Sequence, residues 1–249
     1  LITGVEADEG AEPQLISGDG VLGLAGRIHQ SQYTSDRALG VAMSGDYAYV
    51  AYGYSGLVVI DVSDPTNPTY VGNYDPHSCE YAVDVVVSDG YAYLACGYDE
   101  LVVVDVSDPT NPIYAGYYVR SGNGYAYGVA VSGNYVYLAS GNSGLMVVDV
   151  SDPANPTYAG GYDRYGDAYG VTVSGGYAYI ASGSNGLVVV DVRYYGNPTY
   201  AGGYAGNGDA RGVAVVDGYA YIANYDKGLR VIDVSDPANS TYTGGYDGV

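Results

Sequence analysis

The sequence predicts an all-β protein, a β-propeller of four-stranded antiparallel blades. The first observation behind this is a phrase that returns five times. LVVID, LVVVD, LMVVD, LVVVD and LRVID begin at Leu57, Leu101, Leu145, Leu187 and Leu229. The second is its spacing: the closing aspartates Asp61, Asp105, Asp149, Asp191 and Asp233 stand 44, 44, 42 and 42 residues apart. An independent anchor, Tyr47, Tyr91, Tyr135, Tyr177 and Tyr219, keeps the same four intervals, and repeats of this length belong to propellers or solenoids. The third is composition. With 39 Gly and only 14% charged residues among 249, the chain lacks the residues that build helices and is rich in those that turn between short strands.

Each repeat reads as four strands in order, and the third copy shows them most plainly. GVAVSG (Gly128 to Gly133) is short, small and apolar, as a strand beside a crowded axis must be. YVYLAS (Tyr135 to Ser140) follows a tight Gly-Asn turn, a hairpin signal. GLMVVDV (Gly144 to Val150) is an almost unbroken β-branched run, expected where both faces are covered. After the turn SDPANP, PTYAGGY (Pro156 to Tyr162) is rich in Gly and Tyr, as an outer strand would be. Gly, Pro and β-branched residues recur too often for a helical repeat.

These five LVVID-like runs resemble the LVIVD repeat, over roughly residues 38 to 247. The resemblance implies a β-propeller of a kind found in bacterial and archaeal surface or secreted proteins, and it transfers no catalytic residues. The fourth copy departs from it, with RYYGNP (Arg193 to Pro198) in place of SDPxNP. Five complete copies predict five blades over residues 37–249, divided near 37–74, 75–118, 119–162, 163–204 and 205–249. Residues 1–36 then form an N-terminal extension or partial blade. PQLIS and LGLAGRI echo outer strands without an inner pair, so six blades with a degenerate first blade is the alternative.

Charge limits the partners. The formal charge is −20, from 28 acidic residues against 8 basic ones, which disfavours nucleic acid and anionic membrane surfaces. No apolar run approaches the length of a membrane span, so membrane insertion is not expected. The chain begins at Leu1 without a signal segment and reads as a processed or excised piece, expected to be extracellular or on a cell surface. No cofactor and no metal centre is expected: His29 and His77 are the only histidines, and no calcium-loop motif is present.

Function is expected on one rim. The loops entering each first strand and joining each second strand to the third vary, while the opposite rim repeats its SDPxNP turns. Candidate binding residues on the variable rim are Asp36, Arg37, His77, Glu80, Asp84, Arg120, Arg164, Asp167, Asp209 and Arg211. Asp84 stands where the other copies have Gly40, Gly128, Gly170 and Gly212, at the mouth of the axial channel. Its carboxylate would bind a cation or polar ligand, or else be solvated or paired with arginine. A hydrolase reading would need Asp84 and Asp209 to converge as acid and base. The repeated DVSDP aspartates read as turn formers.

Of the 33 Tyr, most occupy repeated strand positions and read as rings packed between blades with the hydroxyl at a wet edge; the other reading is a stacking platform for sugars or proteins. Cys79 and Cys96 fall on the same face of the second repeat and suit a disulfide, with two unpaired thiols as the alternative. Asn239 opens the glycosylation sequon NST. Together these features predict a non-enzymatic structural or protein-interaction module, partnered by protein or by itself. A lectin-like module using the variable rim is the alternative, with carbohydrate as partner.

Overall fold

The computed structural model describes residues 36–75, 79–98, 101–120, 124–164, 166–206 and 208–247, together with the backbone of 14–18 and 21–25. Strands β1 (Gln14–Gly18) and β2 (Val21–Ala25) form an antiparallel hairpin. Blade one follows as β3 (Gly40–Ser44), β4 (Tyr47–Ala51), β5 (Leu57–Asp61) and β6 (Thr69–Tyr74). Blade two is β7 (Asp84–Ser88), β8 (Tyr91–Ala95), β9 (Leu101–Asp105) and β10 (Ile113–Tyr118). Blade three is β11 (Gly128–Ser132), β12 (Tyr135–Ala139), β13 (Leu145–Asp149) and β14 (Thr157–Tyr162). Blade four is β15 (Gly170–Ser174), β16 (Tyr177–Ala181), β17 (Leu187–Asp191) and β18 (Thr199–Tyr204). Blade five is β19 (Ala210–Val216), β20 (Tyr219–Asn224), β21 (Gly228–Asp233) and β22 (Thr241–Tyr246).

The five predicted blades are the five sheets seen, each an antiparallel meander from inner to outer strand. The six-blade alternative is not what the N-terminal strands build. The β1–β2 hairpin joins the outer edge of blade one, where Gln14 pairs with Thr69, and makes that sheet six-stranded. Residues 1–13 lie outside the described residues.

Local sequence explains the turns. The inner hairpins close on Gly45-Asp46 and Gly133-Asn134, with the glycine at positive φ, or on Asp89-Gly90 and Asp217-Gly218, with both residues at positive φ. Those are the conformations whose twist suits a two-residue hairpin. On the opposite rim, the aspartates accept hydrogen bonds from backbone two residues on, as Asp61 does from Ser63 and Asp105 from Ser107, both through Oδ1. These aspartates are turn formers. The RYYGNP turn keeps the same closure, with Asn197 N–H donating to Tyr194 O as Asn155 N–H donates to Asp152 O. Its Tyr195 stacks on Tyr135 of blade three, ring centroids 3.8 Å apart. The hydrogen bond between these hydroxyls pushes the Tyr135 phenol up to about 12.

The core lies between blades. Tyr49, Ala51, Leu57 and Val59 of blade one pack on Val85, Leu94, Val102 and Val104 of blade two. The same facing sets recur between two and three, three and four, and four and five. Burying each such leucine fully contributes about 1.5–3 kcal/mol. Each of these junctions also carries one backbone bridge, pairing Gly53 with Ala82, Gly97 with Ala126, Gly141 with Ala168 and Gly183 with Ala210. All four glycines hold φ near 50°, which other residues rarely adopt. Among the described residues no fifth junction of this kind joins blade five to blade one.

The tyrosines divide. The second-strand rings Tyr49, Tyr93, Tyr137 and Tyr179 are buried at the junctions as expected, and burial raises their phenols above the usual range. The outer-strand rings Tyr114, Tyr158, Tyr200 and Tyr242 are instead about half exposed.

Candidate functional site

The bridge pattern sets the geometry of the variable rim. Each bridging alanine is flanked by residues lifted onto that rim: Tyr81 before Ala82, Tyr125 and Tyr127 around Ala126, and Asp167 and Tyr169 around Ala168. The loops between second and third strands raise Tyr54 and Tyr98 beside them. Tyr54 meets Tyr81 edge-on at 4.7 Å between centroids, and Tyr98 meets Tyr125 at 4.9 Å. Tyr125 continues to Tyr127 at 4.6 Å, and Tyr127 to Tyr169 at 5.1 Å. The Arg211 guanidinium closes the run, 3.8 Å over the Tyr169 ring. Tyr54, Tyr98 and Tyr127 remain substantially exposed.

Two clefts flank this aromatic line. One, of about 270 Å³, is lined by Tyr54, Tyr81, Tyr98 and Tyr125 with Arg37 and Glu80. The other, of about 580 Å³, is lined by Tyr169, Ser182, Asn185 and Arg211 with the acids Asp167, Asp209 and Asp226. The first is aromatic with one charge of each sign. The second is acidic, with its arginine held in place by Asp209.

The sequence candidates fall into distinct roles. Arg37 and Glu80 border the first cleft; Asp167, Asp209 and Arg211 border the second. Asp36 is a local brace, accepting from Tyr54 N–H at 2.9 Å and Ser55 Oγ at 2.7 Å. It thereby fixes the loop that carries Tyr54. Arg120 lies 5.5 Å over Tyr158 on the outer strand of blade three, and Arg164 is exposed on its own loop. His77 lies outside the described residues.

Asp84 is part-buried at the axial end of β7, and its carboxylate is held by backbone amides. Its Oδ2 accepts from Val129 N–H of blade three at 3.0 Å, and its Oδ1 from its own Val85 N–H at 2.9 Å. Burial nevertheless outweighs these two bonds and raises the carboxyl above the usual range. The group ties the inner strands of blades two and three together, with its lone pairs turned to amides. Asp209, the other half of the hydrolase reading, is engaged with Arg211 and borders the second cleft, whereas Asp84 is bonded to the Val129 and Val85 amides.

Cys79 and Cys96 form a disulfide, which pins the entry loop of blade two to the end of β8. Both residues are buried next to Gly97, beneath the first cleft. Asn239 is exposed in a short 3-10 turn (Pro237–Asn239) and donates to Asp236 at 2.8 Å.

The tyrosine line itself was missed by a residue search that followed charge. A signal existed: aligned on Gly40, Asp84, Gly128, Gly170 and Gly212, the flanks of the bridging alanine carry Tyr81, Tyr125, Tyr127 and Tyr169.

The LVIVD repeat matches five segments of the sequence: 37–76, 80–119, 123–164, 165–204 and 207–248. The chain belongs to the LVIVD-repeat family. No curated protein matches it. Its fold is similar to that of a functionally unknown protein from Desulfotomaculum acetoxidans, with 16% identity, a TM-score of 0.68, and 95% of this chain matched to 78% of that one. It is similar also to the β-propeller domain of Cps50 (Swd1) from Myceliophteria thermophila, at 10% identity and a TM-score of 0.66, covering 86% of this chain and 74% of that domain. A third match is the computationally designed Ika8 protein, at 11% identity and a TM-score of 0.65. That match takes 86% of this chain and spans only 62% of Ika8. At these identities the likeness is one of fold, and the LVIVD chain is a β-propeller repeat scaffold.

Proposed function

We propose that this LVIVD chain is a non-enzymatic, extracellular or cell-surface recognition module that binds a partner protein across its variable rim. The observation that carries the reading is the group of rim tyrosines, the pair Tyr54–Tyr81 and the run Tyr98, Tyr125, Tyr127 and Tyr169, which meet around the first cleft and are capped by Arg211. Tyr and Arg are the residues on which protein interfaces concentrate binding energy, since they bring large contact area with few rotatable bonds. The line sits on a rigid scaffold and so loses little entropy on binding. The formal charge of −20 favours a basic partner segment. The disulfide supports an oxidising compartment.

A second reading has its own support. The first cleft, with four tyrosines and the polar pair Arg37 and Glu80, has the lining of a small-ligand or sugar site.

A random-peptide phage library and a glycan array, both screened with the folded chain, separate the two. The expected result is enrichment of basic, aromatic-containing peptides and a blank glycan array. Tyr98→Ala should weaken the selected peptides about tenfold, the loss of one aromatic anchor. Peptide binding that is indifferent to Tyr98→Ala, or glycan binding alone, would overturn the protein-binding reading.

A further inference from the structure

Among the described residues nothing packs on the forward face of blade five. In blades one to four the forward-facing Tyr49, Tyr93, Tyr137 and Tyr179, and Leu57, Leu101, Leu145 and Leu187, are at most 5% exposed beneath the next blade. Blade five keeps the same residue types, yet Tyr221 is 38% and Leu229 39% exposed.

The glycines repeat the point independently. A Cβ on Gly72, Gly116, Gly160 or Gly202 would come within 2.7, 2.3, 2.2 or 1.8 Å of a carbonyl in the next blade's proline turn. Gly244, the fifth of the set, meets nothing within 4 Å. Blade five thus holds a glycine shaped for a turn that is not there. At the far side of the opening, Val41 and Met43 on the inner strand of blade one are exposed where Val85 and Val129 are buried.

We infer that the forward face of blade five docks further blades of this same repeat, carried by a partner segment of one or two blades. The occupant's chemistry follows from the four internal junctions: a rear sheet face of small and β-branched residues, and a proline turn to seat on Gly244. Its size follows from the fold. The chain covers 74% of the Cps50 β-propeller domain, leaving about a quarter of that domain without a counterpart. One part of the junction is not repeated, because Tyr225 stands where Gly53, Gly97, Gly141 and Gly183 make their bridges. The docked blade therefore seats on the face and turn and omits the rim bridge.

The test appends one repeat to the chain: a copy of residues 163–204 placed directly after Tyr246, which keeps the 42-residue spacing. In this linear array an added blade stabilises its neighbour. The thermal midpoint should rise by about 5 °C, and the β20 and β21 amides should exchange about tenfold more slowly. The same extension carrying Leu229→Glu should lose both effects. An appended repeat that exchanges like unfolded chain, with an unchanged midpoint, would overturn the inference. So would light scattering that finds the unextended chain dimeric and Leu229→Glu monomeric, since the occupant would then be a second copy. These readouts do not depend on ligand binding at the variable rim.

Discussion

A glycine inside a strand gives up backbone entropy and packs no side chain, so the glycines of β6, β10, β14 and β18 need a cause. Gly72, Gly116, Gly160 and Gly202 each lie under a carbonyl of the next blade's turn, where no Cβ fits. Gly202→Ala should therefore destabilise the chain by about 2 kcal/mol or more, through overpacking. Gly244→Ala, at the matching place in the open fifth blade, should change stability by no more than about 0.5 kcal/mol. Urea denaturation of both variants measures the difference, and equal losses would mean that blade five is covered. The positions of these glycines are legible in the recurring VGNY, AGYY, AGGY and TGGY of the sequence, but their cause is a contact between blades and has no local signature. The tyrosine line was hidden for a related reason. Its members come from different loops of different repeats, and only the bridges at Ala82, Ala126 and Ala168 bring them into one file.

The strands were the most legible level, because the β-branched third strand and the Gly-Asn or Asp-Gly hairpins each act locally. What sequence could not resolve was how the N-terminal strands attach, since PQLIS and LGLAGRI lack the repeat's anchors. The turns between third and fourth strands carry a prediction about pH. The hydroxyl and amide groups of Ser63, Thr66, Ser107, Thr110 and Ser235 hold Asp61, Asp64, Asp105, Asp108 and Asp233 below the usual carboxylate range. A depressed folded value means stability present above the unfolded value of about 3.9 and lost as pH falls through the folded one. Asp84 has the opposite sign, because burial raises it and protonation relieves that cost as pH falls. Five carboxylates on three turns against the single Asp84 predict a net loss of thermal stability below about pH 4. A midpoint that holds steady down to pH 2.5 would show that the turn bonds add nothing to folding.

At the scale of the molecule, each blade contacts its neighbours alone, so stability is expected to run along the chain in increments rather than as one block. Blades two to four are covered on both faces, whereas among the described residues blade five is covered by blade four alone. A rigid centre with a variable rim is what lets a low-complexity repeat present one specific surface. Native-state hydrogen exchange tests this most directly, because β16–β17 and β20–β21 share one hydrogen-bond register and differ chiefly in what covers them. With four closed junctions and one open flank, the amides of β20 and β21 should exchange about tenfold or more faster than those of β16 and β17. Equal protection in the two pairs would mean that the fifth blade is covered in solution, and would contradict the open-flank architecture.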